Sequence, residues 1–393
     1  MRRGRALWGH FVSRFVDALE RHRRRGLTAE EAGELLGISG RHFRRLCDRY
    51  DASGEAGLVD RRLGRVSPRR APAGELSRMQ ALYRDRYSDF TVKHFHEELQ
   101  HRHNYQLGYT VTRLSLQSAG LVAKAARRGK HRKKRPRRPQ AGMLLFQDAS
   151  MHRWLAGLEQ SFDLVVTLDD ATGSITSIFL TEQEGTMSSF RGLRETIEGH
   201  GLFGSFYTDR GSHYFLTPKV GGKVDKRQPT QVGRALGQLG IRHIPSYSPE
   251  ARGRMERAFG TLQKRLPPEL RLAGIATVEA ANVYLRETYM AAYNTRFAVT
   301  AEVAESAFIP YRGSPLADIL CVQEDRQVGR DNCVSWRGRS LQIPPQRHRQ
   351  HYVKAMVRVH EYPDGSLALF DGPRCLARYD GKGALSDDTE VAA

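Results

Sequence analysis

The run MLLFQDAS at residues 143–150 begins with four apolar residues, and Gln147 and Asp148 follow them. Such a short apolar run bounded by polar residues predicts a buried strand. Downstream, the hydrophobic pattern predicts further elements, namely strands at 162–168, 174–180, 205–208 and 241–244 and helices at 186–199 and 230–239. Three strands come first and strands separated by helices follow, so we expect a mixed α/β core over residues 141–305.

Two of these strands are expected to end in an aspartate, Asp148 and Asp209. The carboxyl ends of neighbouring strands lie at one edge of a sheet, so both carboxylates would lie there. Another helix is predicted from Ser248 as N-cap and Pro249 as first residue to about Leu266, with Glu256 two turns in. If this helix packs across the same edge, three acids converge. Converging carboxylates repel and need cations, and Mg²⁺ prefers such hard oxygen ligands.

Other acids compete for this role, and each of the three has a simpler interpretation. Asp169 and Asp170 precede Ala-Thr-Gly, which favours a turn. Glu250 falls in the first turn of its helix and would complement the helix dipole. Taken singly, Asp148 and Asp209 could be turn formers and Glu256 a surface residue.

Residues 1–65 carry the pattern of a helix-turn-helix domain. Thr28 is a natural N-cap, with Glu31 completing a capping box, and Gly37 stands where the chain must turn sharply. The following helix is expected to present basic residues to the DNA major groove, as a recognition helix does. A helical hairpin with a solvated basic face is the alternative. The candidate DNA contacts on this helix are Arg41, His42, Arg44, Arg45 and Arg49.

The charge of +20 is unevenly distributed. Residues 1–140 hold 33 basic and 14 acidic side chains, whereas the two kinds nearly balance in the rest. Such asymmetry indicates that the first third faces a polyanion, with nucleic acid favoured over an acidic protein or a membrane surface. No apolar stretch reaches the roughly 20 residues of a membrane span, and no signal peptide is evident. We therefore expect a cytoplasmic, nucleoid-associated protein.

Two further segments lie between the first domain and the core. Residues 70–123 are predicted to form a second helical module, for which a second helix-turn-helix is one interpretation. Residues 124–140 are predicted to be a basic linker lying along phosphates; a nuclear localisation signal is the competing interpretation. The candidate DNA contacts in the linker are Lys130, Arg132, Lys133, Lys134 and Arg135, and those beside Glu256 are Arg252, Arg254 and Arg257.

The remaining features indicate structure rather than chemistry. Residues 310–382 are rich in short strands and predict a small β-barrel, followed by a disordered tail at 383–393. Four cysteines without C-x-x-C spacing indicate neither a zinc ribbon nor a disulfide framework. The H-x-H pairs at His94/His96 and His101/His103 are expected to be exposed helix residues rather than a metal site. Trp154 could stack on a base, but core packing is the favoured interpretation.

The motifs LFQDAS at 145–150, YTDRGS at 207–212 and SPEARGRMERAF at 248–259 resemble the DDE core of transposases and retroviral integrases. The whole chain resembles bacterial insertion-sequence transposases of the ISNCY group. The resemblance implies an RNase H-like core with Asp148, Asp209 and Glu256 as catalytic, metal-binding acids. It also implies two Mg²⁺ ions, with Mn²⁺ as a substitute, that assist cleavage of the element end and attack of its 3′ hydroxyl on target DNA.

Double-stranded DNA, both the terminal repeats of the element and the target, is the partner that this resemblance implies, and it is bound by a homo-oligomer. Two other functions remain open from the residues alone. One is a DNA-binding protein or decayed transposase that does not cut, and the other is an RNase H-type nuclease without strand transfer.

Overall fold

The computed structural model describes residues 2–60, 70–126, 135–218, 222–225, 227–247, 253–346 and 349–386. The chain forms two compact units, Met1–Ser77 and Arg78–Ala393. No helix in the described part is both long and apolar enough to cross a membrane. Several predictions fall outside the described residues: the helix start at Ser248 and Pro249, the competing Glu250, and the DNA contacts Lys130, Arg132, Lys133, Lys134 and Arg252.

The first unit contains the predicted helix-turn-helix. Its helices are α1 (Arg2–Arg23), α2 (Ala29–Leu36) and α3 (Gly40–Ser53). The capping box is confirmed, because the Thr28 side chain accepts from Glu31 N and the Glu31 carboxylate accepts from Thr28 N. Gly37 has a φ of 69°, which glycine adopts without strain and which turns the chain between α2 and α3. Phe15 and Phe43 form the centre of its core, both fully buried.

Three helices precede the sheet: α4 (Ala73–Arg86), α5 (Val92–Arg102) and α6 (Tyr109–Ser118). The expectation of exposed histidines on α5 is wrong for His94 and His96, which are both buried. His96 contacts the Thr112 hydroxyl at 3.1 Å and His94 contacts Glu269 at 3.0 Å, so both rings have polar partners in the interior. Among the residues with described positions, no group of three His, Cys, Asp or Glu could hold a metal.

The core is a five-stranded mixed sheet in the order β3-β2-β1-β4-β5. Its strands are β1 (Leu145–His152), β2 (Phe162–Asp169), β3 (Ile175–Thr181), β4 (Ser205–Thr208) and β5 (Arg242–Pro245). The first three pair antiparallel, and β4 pairs parallel with both β1 and β5. This is the mixed α/β core that was predicted, with the strand order of an RNase H-like fold.

Helices cover both faces of this sheet. One face packs against α7 (Thr186–His200) and α8 (Gln231–Gln238). The other packs against α9 (Gly253–Leu272), α10 (Val278–Tyr284) and α11 (Met290–Phe297), the last two joined by a π-helical turn. The predicted end of α9 near Leu266 is wrong: the helix continues through Pro267 and Pro268, because Leu266, Pro268 and Leu270 are all buried.

The C-terminal part is strand-rich, as expected. After α12 (Leu316–Ile319), the strands are β6 (Val322–Gln327), β7 (Cys333–Trp336), β8 (Arg339–Gln342), β9 (Met356–Glu361), β10 (Leu367–Asp371) and β11 (Arg374–Tyr379). They form a four-stranded sheet in the order β11-β10-β9-β6 and a separate β7-β8 hairpin, which share one hydrophobic core. Closure of these two sheets into a barrel, like the finer domain boundaries, stays a prediction.

Candidate active site

The two aspartates lie where β1 and β4 part. Pairing between these strands is parallel, with Leu145 opposite Phe206 and Phe146 opposite Tyr207. The same register, if continued by two residues, would bring Asp148 opposite Asp209. Phe146 and Tyr207 pack on the α9 face of the sheet. Because side chains alternate along a strand, Asp148 belongs to that same face, and Asp209 is the first residue after β4.

One expectation about β1 is wrong. Asp148 is not at the end of its strand but in the middle of it, because pairing with β2 continues to His152 opposite Phe162. What ends near Asp148 is the pairing with β4, whose last residue is Thr208. Asp148 is therefore held in a strand that β2 still pairs on one side and that β4 no longer pairs on the other.

The loop after β4 holds Asp209 in a tight turn. Gly211 N donates to Asp209 Oδ1 at 2.8 Å. A methyl group at Gly211 would lie 3.0 Å from that same oxygen, so a side chain there would crowd the carboxylate. Asp148 and Asp209 are both partly exposed, and both are therefore accessible to a ligand.

Helix α9 lies across the face that carries Asp148. Met255, Ala258 and Phe259 are buried in the core that includes Phe146. One turn further on, Gln263 Nε2 donates to Ser150 Oγ at 2.9 Å. Ser150 is two residues beyond Asp148 in β1 and so shares its face of the sheet.

Glu256 is exposed in the first turn of α9, on the helical stripe that also contains Gly260 and Gln263. Glu256 is thus on the helix that packs over the Asp148 face of β1, and a shared site of the three acids stays a prediction. No group of three such acids in the described residues is close enough to hold a metal.

A buried polar network lies behind the two aspartates, on the opposite face of the sheet. The Tyr214 hydroxyl donates to Gln147 Oε1 at 2.9 Å and lies 3.2 Å from Glu184 Oε1. Burial first, and Glu184 after it, raise the pKa of Tyr214 well above its usual value, so the hydroxyl keeps its proton. Gln147 Nε2 in turn donates to the Thr167 hydroxyl at 2.9 Å. The residue beside Asp148 is thereby fixed to the loop that follows Asp209.

A second polar contact fixes the last residue of β4. His243 Nε2 and the Thr208 hydroxyl are 2.9 Å apart, and the imidazole stacks on Phe215 with ring centroids 4.0 Å apart. Burial, and the nearby His213 after it, lower the pKa of His243 to about 3. The ring is therefore neutral at neutral pH. Sequence reasoning missed this residue and Tyr214; the only signal for His243 was a polar side chain inside a predicted strand.

The competing pair Asp169-Asp170 forms a turn, as predicted. Asp169 accepts hydrogen bonds from both the backbone N and the hydroxyl of Thr172, at 2.8 Å each. Asp170 is fully buried and contacts the guanidinium groups of Arg135 and Arg254. These two arginines, predicted as DNA contacts, thus have an internal carboxylate as their partner. Arg257, by contrast, is exposed and donates to Gly253 O at 3.0 Å.

The candidate contacts on α3 differ in their surroundings. Arg41, His42 and Arg45 are exposed. Arg44 is also exposed and pairs with Glu30 at 3.1 Å, while Arg49 is half-buried and donates to Val59 O at 2.5 Å. Trp154 is fully buried and donates to Phe162 O at 2.9 Å, which confirms the core-packing interpretation.

Known proteins resemble this chain both in its helix-turn-helix domain and over most of its length. Residues 16–66 match a family described as a helix-turn-helix domain. A protein of Sinorhizobium fredii named "Putative transposase y4bF" is 32% identical over 343 residues, covering 87% of this chain and 74% of the relative. The transposase for insertion sequence IS1202 of Streptococcus pneumoniae is 34% identical over 242 residues, covering 61% of this chain and 49% of the relative.

Solved structures of integrases resemble the core more distantly. The HTLV-2 integrase catalytic core domain, in complex with magnesium, has 16% identity and a TM-score of 0.29, covering 38% of this chain and 89% of that one. A simian T-cell lymphotropic virus intasome has 14% identity and a TM-score of 0.35, covering 78% and 98%. Likenesses this low do not decide the family, whereas the sequence relatives do. On their identity and coverage, the chain belongs to the insertion-sequence transposases and is a DNA transposase that binds DNA through a helix-turn-helix.

Proposed function

We propose that this transposase cuts and joins DNA at Asp148, Asp209 and Glu256, with divalent metal ions as the cofactor. The observation that supports the proposal is the parallel register of β1 and β4, because its continuation by two residues would bring Asp148 opposite Asp209 beside the face that α9 covers. The donor set fits Mg²⁺, because carboxylate oxygens are its preferred ligands and partial exposure leaves room for water and substrate. Mn²⁺ is expected to substitute.

The three acids would hold two metal ions, which supply Lewis-acid activation of the attacking oxygen and stabilise charge on the phosphate. In the first step, water adds to the phosphorus at the element end. The bond from phosphorus to the 3′ oxygen breaks, and that oxygen leaves as a 3′ hydroxyl. In the second step, this 3′ oxygen forms a bond to a target phosphorus and loses its proton, and the target strand's own 3′ oxygen departs.

Other residues of the chain would position the three acids. The rigid β1 strand fixes Asp148, the Gly211 amide orients Asp209, and packing of Met255 on the sheet orients the first turn of α9. Arg257, exposed one residue after Glu256, is a candidate for a phosphate contact. The exposed residues Arg41, His42, Arg44 and Arg45 on α3 are proposed to bind the terminal repeats, with the basic linker contacting phosphates and a homo-oligomer bracketing two ends.

The test uses the full chain with duplexes carrying the DNA that flanks its gene. Asp148→Asn, Asp209→Asn and Glu256→Gln should each bind the ends as the wild type does, yet give no cleavage or joined product in Mg²⁺. Glu279→Gln is the matched control, because Glu279 is also an exposed acid in the first turn of a helix, α10. This control should cleave normally.

The alternatives have distinct outcomes in the same assay. Wild-type protein that binds ends but cleaves with neither Mg²⁺ nor Mn²⁺ is a binding protein only. Wild-type protein that hydrolyses DNA without any joined product is a nuclease. Cleavage that survives in one of the three variants removes that residue from the proposed site.

A further inference from the structure

Asp170 is a buried carboxylate that joins two distant segments of the chain. It follows β2 and is 0% exposed. Its Oδ1 contacts the guanidinium groups of Arg135, from the end of the basic linker, and of Arg254, from the first turn of α9. Its Oδ2 accepts from the backbone N of Arg138 at 2.8 Å. Both oxygens of the carboxylate are thus used.

Further hydrogen bonds connect the same two segments. Arg254 Nη2 donates to Arg135 O at 2.8 Å, so α9 and the linker also contact each other directly. Arg137 Nη1 donates to Asp170 O at 3.0 Å and to Ala171 O at 3.1 Å. The turn after β2 therefore holds the linker end and the start of α9 in one arrangement.

Arg254 connects Asp170 to the helical turn that carries Glu256. Arg254 is two residues before Glu256, in the same helical turn. A buried carboxylate is stable only while it keeps its charged partners, so the contact resists displacement of that turn. Further along α9, Gln263 is held to Ser150 of β1. Along α9, the contact of Arg254 with Asp170 comes before Glu256 and the contact of Gln263 with Ser150 comes after it.

We propose that Asp170 is a positioning residue for transposition: through Arg254 it sets the first turn of α9, and with it Glu256, relative to the aspartates. Through Arg135 it couples that turn to the basic linker, so that DNA held by the linker and the position of Glu256 depend on each other. This inference rests on the proposed role of Glu256. Asp170 itself contacts neither metal nor substrate.

A purely structural role is the alternative, since any buried ion pair stabilises a fold once it is formed. The chain offers a matched comparison. Arg265 is on the same helix, its side chain is 11% exposed as is that of Arg254, and it contacts Glu97, which is also buried. Only the Arg254 contact is in the turn that carries Glu256. Arg254→Gln and Arg265→Gln therefore remove equivalent ion pairs at different distances from the site.

The experiment measures Mn²⁺ binding by electron paramagnetic resonance on the full chain with terminal DNA, together with single-turnover cleavage. Arg254→Gln is expected to weaken Mn²⁺ binding by about 10-fold and to slow cleavage, because the helix turn that carries Glu256 loses a contact that orients it. Arg254→Lys should recover part of both, and Arg265→Gln should bind Mn²⁺ within about twofold of the wild type, since it leaves that helix turn in place.

The outcomes separate the inference from the proposed function. Equal effects of Arg254→Gln and Arg265→Gln on Mn²⁺ binding would overturn the positioning role and leave a structural one. If Glu256→Gln itself leaves Mn²⁺ binding and cleavage unchanged, the proposed site fails. Should Arg254→Gln not fold, Arg135→Gln removes the more exposed arginine of the pair and carries the same expectation, and normal Mn²⁺ binding there would count against the inference.

Discussion

The Tyr214 hydroxyl donates a hydrogen bond to Gln147 Oε1 across 2.9 Å, and so joins the residue beside Asp148 to the loop that follows Asp209. Both residues are buried, so neither group can turn to water instead. The contact therefore joins β1 to the loop after β4 on the face of the sheet opposite Asp148. In the proposed site, this contact would hold the two aspartate segments in place, while the third acid is on a separate helix.

Tyr214→Phe should weaken that connection without a change of shape. Gln147 Oε1 would lose its donor in the interior, which costs about 1–3 kcal/mol of the free energy of unfolding. Urea unfolding of the full chain measures this loss, and the cleavage rate should fall while end binding persists.

Tyr379→Phe is the control for this prediction. Tyr379 is equally buried, and its hydroxyl donates to Gln342 O at 2.7 Å in the C-terminal sheet. It should lose similar stability with little effect on cleavage. A cleavage rate that drops as much in Tyr379→Phe as in Tyr214→Phe would show that general stability, and not the strand connection, decides the rate.

Gly192→Ala should disturb the same network from the side of α7. A methyl group there would lie 2.1 Å from Gln147 Nε2 and 3.2 Å from the Thr167 hydroxyl. Gln147 cannot move away without losing its hydrogen bonds, so we expect a net loss of about 1–3 kcal/mol of unfolding free energy. The measurement is chemical unfolding of the two proteins.

The matched control for Gly192 is in the same helix. Gly199→Ala would place its methyl group in open space, with no atom within 4 Å. That change should stabilise α7 by up to about 1 kcal/mol, because alanine has the higher helix propensity. If Gly192→Ala is also stabilising, Gln147 is not held as tightly as its contacts indicate.

Features set by local sequence could be predicted. The Thr28–Glu31 capping box, the Gly37 turn and the β2-β3 hairpin depend on residues close together in the chain, and the structure confirms them. Apolar runs also predicted the core strands and their succession along the chain, three strands first and then strands separated by helices. Asp148 and Asp209 could be matched from the ends of apolar runs, although the extension of β1 past Asp148 could not, because it depends on pairing with β2.

Features that depend on distant partners could not be predicted. Tyr214 and Gln147 are 67 positions apart, and Arg254 and Asp170 are 84 apart. A charged residue such as Asp170 is expected at the surface unless its partners are known. The same is true of His94, whose burial follows from contact with Glu269 on α9. Tertiary contacts decide these cases.

The stability of the protein should fall in mild acid, and His243 should contribute. Burial lowers the pKa of His243 to about 3, whereas in the unfolded chain it is near 6.5. Between these values the unfolded state binds a proton that the folded state does not, so stability is complete above the unfolded pKa and decreases as the pH falls. The decrease due to one such group is at most about 1.4 kcal/mol per pH unit.

Unfolding free energies at pH 7, 5.5 and 4.5 measure this dependence. His243→Gln keeps a polar group near the Thr208 hydroxyl but cannot take up a proton, so its loss of stability should be shallower than that of the wild type. Burial also lowers the pKa of His360 to about 4, and so part of the slope should remain in this variant. Identical slopes in the two proteins would mean that His243 is solvated in the folded state.

Arg45→Ala should weaken end binding, and the salt dependence should reveal how. Arg45 is exposed on α3, the helix predicted to enter the major groove. A phosphate contact at this position would reduce the slope of log K against log salt by about one and weaken all sequences alike. A base contact would instead cost about 1–3 kcal/mol on the terminal repeat and less on unrelated DNA. Arg24→Ala is the control, since Arg24 is exposed in the turn after α1, outside the predicted recognition helix, and pairs with Glu20 at 3.9 Å. Fluorescence anisotropy with terminal-repeat and scrambled duplexes at several salt concentrations distinguishes the two modes. If Arg45→Ala binds both duplexes as Arg24→Ala does, α3 does not approach DNA through this face.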